Sequence, residues 1–548
     1  MPCPPPLPGF EGLATNGTLV MSFCTMKRTW LMLFGGIATG LLLFAVFPPL
    51  NWNVLAVLAP IPLLYALTRF APVETSGVTD PAAGYLPAEE AGRASRRLSP
   101  GAVFTLQCAL AGWVAGTLQW GLMCLWIRDT LAIYGGLTGP LSWLAIALFA
   151  AIKGLHLAVL AALAGSLLRR PWGGLAVAAL WAGLERTHGP LGFTWLLLGN
   201  AGIDMALPLR LAPLTGVYGL SFVFVAIACA GVFVLLRRPR QHLLFLLPLA
   251  ALWLMPGLQL KKGPSAQAVS LQPALKDEGP VSQEENELTV RRLSFLTLQE
   301  VLAPRKATPS LVLWPEAPAP FYYHDDPVFR DQMNAMARLA ATPVIFGGVA
   351  RTPEGKPLNS AIYLTGEGRL AGRYDKRVLV PFGEFVPPMF GWIKKISSEA
   401  GDFEPGSKVE TFVSGEHSIG PFICYEAASP HLVREVAQAG ADVFVNISND
   451  GYFGRSAARA QHLLLARMRA VENHRWLLRS TNDGITASID PAGRVWDRFA
   501  DGKRAVGRLR FGWEKEQTPY TRGGDWFAWG CLIVGLAAAG LERIRQRG

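Results

Sequence analysis

Charge is scarce in this chain. Only 17% of its 548 residues are Asp, Glu, Lys or Arg, whereas 51% are hydrophobic. Together with a mean hydropathy of +0.28, that balance excludes an ordinary soluble enzyme and places the chain among membrane proteins. The scarcity is uneven. Nearly all the long apolar runs lie before residue 258, with one more after 524. Between them, roughly 260 residues have globular composition, enough to bury a core of their own.

Cysteine is almost missing from that globular stretch. Of seven cysteines, Cys108, Cys124, Cys229 and Cys531 lie in apolar runs, Cys3 and Cys24 lie in the N-terminal tail, and Cys424 alone falls in the stretch. It has no disulfide partner there, and no CxxC pair offers a zinc site, so no metal is expected. No Gly-rich phosphate loop follows a strand, and no internal repeat is visible. The net charge is +11, yet Lys and Arg cluster at the ends of apolar runs rather than in a stripe interleaved with aromatics. Nucleic acid is therefore not an expected partner.

Residues 1–28 read as a Pro-rich cytoplasmic tail ending in Lys27-Arg28. The apolar run at 29–48 is too long for a signal peptide and lacks a small-residue cleavage site, so it reads as a transmembrane helix. Runs of spanning length follow at about 52–68, 103–126, 141–168, 172–188, 213–236, 241–257 and 525–541, giving eight in all. The domains expected are seven helices within 29–257, a globular domain at 258–524, and an eighth helix with a short tail at 525–548. The positive-inside rule agrees with a cytoplasmic N-terminus: the loops it places inside carry Arg96-Arg97, Arg169-Arg170 and Arg237-Arg238, while the opposite loops are basic-poor apart from Arg128. Residues 258–524 then face away from the cytoplasm, which in a bacterium means the periplasm. A lone thiol in an oxidising compartment must be either deeply buried or chemically needed.

Within the membrane part, Lys153, His156, Glu185 and Arg186 are ionisable groups in or near apolar runs, where charge is functional by default. Glu185-Arg186 reads equally well as a helix-end pair. The apolar, Trp-bearing segment 192–200 is too short to cross and reads as interfacial or re-entrant. The globular part alternates strand patterns (310–314, 343–347, 360–365, 418–424, 442–448, 476–481 and 485–489) with helical ones (282–303, 326–340, 429–439 and 457–474). A sheet buried between helices is the expected result.

Three stretches carry chemistry. Leu-Trp-Pro-Glu316 delivers a carboxylate just after a strand. Asp375-Lys376 and Gly-Glu384 place an ammonium and a second carboxylate in an otherwise apolar loop. Ile-Cys424-Tyr-Glu426 puts a thiol at the end of an apolar strand, a common place to present a nucleophile. Each has a plainer reading on its own: a solvated loop end, a local ion pair, a core cysteine. Together they supply a base, a cation and a nucleophile, which acyl transfer through a thioester requires. A nearby cation lowers a thiol pKa from about 8.5. A carboxylate can take the thiol proton, and an ammonium can stabilise the oxyanion with the backbone N–H after the cysteine.

Glu316, Lys376 and Cys424, in that order and in those contexts, resemble the triad of the carbon–nitrogen hydrolase (nitrilase) superfamily. The strings Asn446-Ile-Ser-Asn-Asp-Gly-Tyr-Phe-Gly454 and Arg479-Ser-Thr-Asn-Asp-Gly-Ile-Thr486 extend the match. With eight apolar spans and Pro381-Phe-Gly-Glu-Phe-Val-Pro387 after the lysine, residues from about 29 to 541 resemble the apolipoprotein N-acyltransferases. The resemblance implies an αββα sandwich on a helical membrane base, a periplasmic catalytic domain on a bacterial inner membrane, and no cofactor. It implies a ping-pong reaction in which Cys424 takes the sn-1 acyl chain of a phospholipid, typically phosphatidylethanolamine. The α-amino group of an apolipoprotein's N-terminal diacylglyceryl-cysteine then receives it. In that scheme Glu316 is the base and Lys376 the oxyanion stabiliser. Glu384, Glu426 and Asn449 support the triad, Tyr425 flanks the thiol and gives an oxyanion N–H, and a monomer suffices. Three departures stand out. Gly451-Tyr452 replaces the family's Ala-Trp, the start of the domain at 268–274 is shortened and lacks a Trp often found after it, and 70–100 reads as an added cytoplasmic loop.

The residues themselves also point to a lipid. Phe385, Met389, Phe390 and Trp392, followed by Lys394-Lys395, suit a lid dipping into a leaflet better than a buried loop, and Phe321-Tyr-Tyr323 reads likewise. Two other functions compete: a membrane-anchored amidase or nitrilase with water as acceptor, and a transporter or sensor whose outer domain binds without chemistry and has no need of Cys424.

Overall fold

The computed structural model describes residues 14–70, 99–133, 136–137, 139–189, 191–260, 262–275, 282–305, 307–316, 322–381, 383–385 and 403–546. Among the described residues, six α-helices of nine residues or more pack as the membrane base: α1 (Ala14–Ala45), α2 (Ile61–Arg69), α3 (Pro100–Met123), α4 (Pro140–Leu167), α5 (Gly173–Arg186) and α6 (Val217–Leu235). Four more belong to the globular domain: α7 (Gln283–Leu302), α8 (Pro327–Ala340), α9 (Pro430–Gln438) and α10 (Ala458–Asn473). The helix α11 (Trp526–Arg545) returns to the base.

Among the described residues, five helices are long and apolar enough to cross a membrane: Met26–Ala45 within α1, together with α3, α4, α6 and α11. The other three apolar runs take different shapes. Residues 52–68 form a 3-10 turn, Asn53–Val57, and then α2. The 172–188 run becomes the 14-residue α5. The 241–257 run is not a continuous α-helix but a 3-10 segment, Arg240–Ala250, interrupted by Pro248 and followed by one turn, Ala251–Leu254. Proline removes a backbone donor, which hydropathy does not register. The first helix also starts inside the expected tail. Small residues let the long helices approach closely: a Cβ added to Gly116 of α3 would lie 2.8 Å from Gly154 Cα of α4.

Among its described residues the globular domain has twelve strands: β1 (Ala266–Gln272), β2 (Leu311–Leu313), β3 (Val344–Arg351), β4 (Pro357–Leu364), β5 (Leu370–Asp375), β6 (Phe412–Ser414), β7 (His417–Ile423), β8 (Val443–Ser448), β9 (Trp476–Thr481), β10 (Ala487–Ile489), β11 (Val495–Arg498) and β12 (Ala505–Phe511). They form two six-stranded sheets, ordered β12-β1-β2-β3-β4-β5 and β11-β10-β9-β8-β7-β6. In each, a parallel trio (β1-β2-β3 or β7-β8-β9) is flanked by antiparallel strands. The repetition is topological, with no repeat in the sequence. Ser270 Oγ donates to Ser480 Oγ at 3.0 Å across the two sheets, and Tyr363 stacks on Phe412 at 5.0 Å. Helices α7 and α8 cover the outer face of the first sheet with a dry core of Val290, Leu293, Phe329, Met333 and Met336. Helices α9 and α10 cover the second.

Helix starts follow their local chemistry. Ser282 Oγ accepts from Glu285 N while Glu285 Oε2 accepts from Ser282 N, a capping box opening α7. Asp326 Oδ1 accepts from Val328 N and Phe329 N at the start of α8, where Pro327 has no N–H to orphan. Helix α10 is buried on nearly every side, because it lies between the second sheet and the membrane base.

Candidate active site

Four of the residues singled out in the sequence stand at or just beyond C-terminal strand ends. Lys376 follows β5, Cys424 follows β7 and Asn449 follows β8 directly, while Glu316 lies three residues beyond β2. The strands come from both sheets, so the ends of the sandwich converge on one spot. Strand pairing keeps the backbones in place there: Trp314 N donates to Ile345 O and Lys376 N to Asn359 O.

The Lys376 ammonium is 1% exposed and donates to Glu384 Oε1 at 2.8 Å, with Glu316 Oε1 at 3.3 Å. Burial alone would discharge it, but the Glu316 and Glu384 carboxylates overcome that effect and hold its pKa well above the usual lysine value. Glu316 Oε2 accepts from Asn449 N at 2.8 Å, and Glu384 Oε2 accepts from Val380 N at 2.8 Å. Glu426 is fully buried and ties the lysine loop to the cysteine turn: it accepts from Arg377 N at 2.6 Å, Val378 N at 3.1 Å, Ile423 N at 2.7 Å and the Tyr374 hydroxyl at 2.9 Å. Burial pushes its pKa up, and those donors pull it back.

Cys424 has φ +48°, a left-handed conformation rare for a residue with a side chain. Such a backbone costs on the order of 1–3 kcal/mol and persists only where its surroundings enforce it. Its thiol is pushed up by burial first and the Glu316 charge second, against the opposing pull of Lys376, so the resting sulfur is neutral. A neutral thiol within the field of a carboxylate and an ammonium can lose its proton to the first as it attacks an acyl carbon, while the second balances the oxyanion.

Tyr425 points the other way, into the membrane base. Its hydroxyl accepts from Thr194 N at 3.0 Å and donates to Thr194 O at 2.9 Å, and its ring stacks on Phe193 at 5.2 Å. The 192–200 segment does not run as a helix across the base. From Thr194 to Asn200 it is buried between the membrane helices and the globular domain, with Trp195 1% exposed. The intramembrane charges hold it: Lys153 Nζ donates to Phe193 O at 2.7 Å and Glu185 Oε1 accepts from Leu198 N at 2.9 Å. Lys153 Nζ also lies 2.8 Å from His188 Nδ1, and His156 Nε2 lies 3.2 Å from the Thr187 hydroxyl. Arg186 pairs with Asp525 rather than with its neighbour.

Of the proposed lid, Phe385 is half-buried and bridged to Pro381. Met389, Phe390 and Trp392 lie outside the described residues, as does Phe321. Among the described residues, no group of three or more His, Cys, Asp or Glu side chains is arranged to hold a metal ion.

Sequence reasoning missed two parts of this site. Asn359, on β4, donates through Nδ2 to Glu316 Oε1 at 2.6 Å and Glu384 Oε1 at 2.7 Å, separating two carboxylates. His462, on α10, places Nε2 2.9 Å from the Cys424 carbonyl, with Asp450 and Arg479 behind it. The available signal was a run of polar residues, Gln461, His462, Arg469 and Glu472, on a helix with no solvent face.

Two facing sheets with a buried carboxylate, ammonium and strained cysteine where their strands end define a carbon–nitrogen hydrolase fold, here seated on membrane helices. Residues 278–505 match the carbon-nitrogen hydrolase family, and residues 99–230 match the apolipoprotein N-acyltransferase N-terminal domain. The apolipoprotein N-acyltransferase of Geobacter metallireducens is 33% identical over 79% of this chain and 87% of its own length. That of Pseudomonas syringae pv. tomato is 32% identical over 82% and 90%. A solved carbon–nitrogen hydrolase from Helicobacter pylori G27 aligns with TM-score 0.34 and 17% identity, covering 45% of this chain and 89% of that one. The chain belongs to the apolipoprotein N-acyltransferase family.

Proposed function

We propose that the protein transfers the sn-1 acyl chain of phosphatidylethanolamine, through a Cys424 thioester, to the α-amino group of a lipoprotein's N-terminal diacylglyceryl-cysteine. In the first half-reaction the Cys424 sulfur bonds to the ester carbonyl carbon as Glu316 takes the thiol proton. The Lys376 ammonium and the Tyr425 N–H stabilise the oxyanion, the ester C–O bond breaks, and the proton held by Glu316 passes to the lysophospholipid oxygen. In the second, the acceptor amine attacks the thioester, loses its proton to Glu316, and the departing Cys424 sulfur takes that proton back as the amide forms.

The observation that carries this reading is the Lys376 ammonium shared between Glu316 and Glu384 at the strand ends that also present the strained Cys424, in a chain whose relatives are apolipoprotein N-acyltransferases. We further propose that all eight apolar runs lie in a bacterial inner membrane with 258–524 in the periplasm, as the distribution of arginines suggests.

Intact-protein mass spectrometry after incubation with phosphatidylethanolamine tests the chemistry. The expected result is an added fatty-acyl mass on the wild type, released by hydroxylamine, discharged by diacylated lipopeptide and absent from Cys424→Ala. Steady release of free fatty acid with no transfer to lipopeptide would overturn the acyltransferase reading in favour of a hydrolase.

A further inference from the structure

Behind Cys424 lies a polar chain that the acyl-transfer scheme leaves unused. His462, fully buried on α10, places Nε2 2.9 Å from the Cys424 carbonyl oxygen. A carbonyl can only accept, so Nε2 carries a proton whatever the charge of the ring. On the ring's other side, Nδ1 lies 3.0 Å from Asp450 Oδ1 and 3.1 Å from Arg479 Nη2. Arg479 also donates to both Asp450 oxygens, at 2.9 and 2.7 Å, and Ser448 Oγ donates to Asp450 Oδ1 at 2.8 Å. His462, Asp450 and Arg479 are all 0% exposed. The ring is therefore fixed from behind and has one place to aim its proton.

The group it addresses matters. The Cys424 carbonyl and the Tyr425 N–H belong to the same peptide, and that peptide sits at the one left-handed residue of the site. A bond donated to its oxygen draws charge toward the carbonyl and makes the N–H a stronger donor, by about 10–30% for each bond in such a chain. We propose that His462 is a positioning residue for acyl transfer: its Nε2–H holds the Cys424–Tyr425 peptide in its strained setting and polarises the Tyr425 N–H toward the oxyanion. The inference rests on the reading of Cys424 as nucleophile and the Tyr425 N–H as an oxyanion donor.

Losing an oxyanion donor outright typically costs 10²–10³ in rate, so weakening one should cost roughly tenfold. The test compares two reactions of the same sulfur in the purified full-length protein. Thioester formation from phosphatidylethanolamine passes through an oxyanion; alkylation by iodoacetamide breaks a C–I bond and does not. His462→Leu is expected to slow thioester formation about tenfold or more while alkylation stays within about twofold. His462→Gln, whose amide N–H reaches the place of Nε2, should recover most of the rate, and His462→Asn, which reaches only the place of Nδ1, should not. Alkylation falling as far as thioester formation would reduce His462 to a structural role. Equal thioester rates in the Gln and Asn variants, or an unchanged rate in His462→Leu, would overturn the proposal, and the Gln–Asn comparison decides even if the Leu variant does not fold. A wild type that forms no thioester, or a Cys424→Ala variant that still transfers acyl chains, would instead overturn the reading on which it rests.

Discussion

Tyr425 and Thr194 are joined by two hydrogen bonds, one in each direction: Thr194 N donates to the Tyr425 hydroxyl at 3.0 Å and the hydroxyl donates to Thr194 O at 2.9 Å. Tyr425 is the residue after the strained cysteine, and Thr194 belongs to the loop that Lys153 and Glu185 of the membrane helices hold. The turn bearing the thiol is thus fastened to the membrane base as well as to its own sheet.

Removing that hydroxyl should loosen the turn. In Tyr425→Phe the ring can still stack on Phe193, but the amide and carbonyl of Thr194 are left buried without their partner, at a cost of about 1–3 kcal/mol. A lower melting temperature in detergent and thioester formation slowed by roughly an order of magnitude are expected, with stacking preserving the fold. An unchanged thioester rate would show that the membrane loop does not position Cys424.

The charge states of the site predict an unusual pH profile. Lys376 has its pKa raised, so the stabilisation it gives is fully present below the ordinary lysine value and is lost only as the pH climbs through the higher folded-state value. The Cys424 thiol is also raised, by burial and then by Glu316, so it too remains protonated through the pH where a free thiol ionises. Between about pH 6 and 10, iodoacetamide alkylation should therefore show no inflection near the free-thiol value of about 8.5, rising only at the alkaline end. Lys376→Met removes the cation that opposes those effects and should slow alkylation further. A plateau reached by about pH 9 would contradict a neutral resting thiol.

Orientation is open to a direct check. Glu416 lies on the exposed turn between β6 and β7. In spheroplasts, a Glu416→Cys variant should react with a membrane-impermeant maleimide without permeabilisation. Labelling only after the inner membrane is opened would place the globular domain in the cytoplasm and reverse every crossing.

Much of this was legible in the sequence where an apolar pattern ended in a functional group. The motifs around Glu316 and Cys424 each close an apolar strand, and the four helical patterns of the globular domain, such as 326–340 for α8 (Pro327–Ala340), fall within a residue or two of the helices formed. The strands that escaped were β1, β5, β6, β11 and β12; the last four are sheet edges, which carry residues such as Arg373, Arg498, Arg508 and Arg510, whereas β1 is a largely buried inner strand. Edge strands keep charge on their open side, so their alternation looks like loop. The run at 241–257 departs from a continuous helix for a different reason: hydropathy scores transfer into lipid and is blind to Pro248 interrupting the backbone ladder. Asn359 and His462 were invisible for a third reason. Their meaning lies in what they touch, Glu316 with Glu384 in one case and the Cys424 carbonyl in the other, and those partners are remote in the chain.

Asn359 allows the last prediction, because its place between two carboxylates distinguishes hydrogen bonding from mere packing. Its Nδ2 donates to Glu316 Oε1 and Glu384 Oε1 at 2.6 and 2.7 Å, while Lys376 supplies the only ammonium that reaches both among the described residues. Asn359→Ala leaves that single cation to hold two anions together, and thioester formation should fall by about 10² as their geometry relaxes. Asn359→Asp keeps the size and shape but adds a third carboxylate. Like charges about 4 Å apart repel by roughly 4 kcal/mol at the effective dielectric of a protein site, so Asp should be markedly worse than Ala in both stability and rate. Combining Asn359→Asp with Glu384→Gln returns the carboxylate count to two and should recover part of the lost stability. If Asp is tolerated as well as Ala, or if the Gln partner recovers nothing, then Asn359 does not act by separating Glu316 from Glu384.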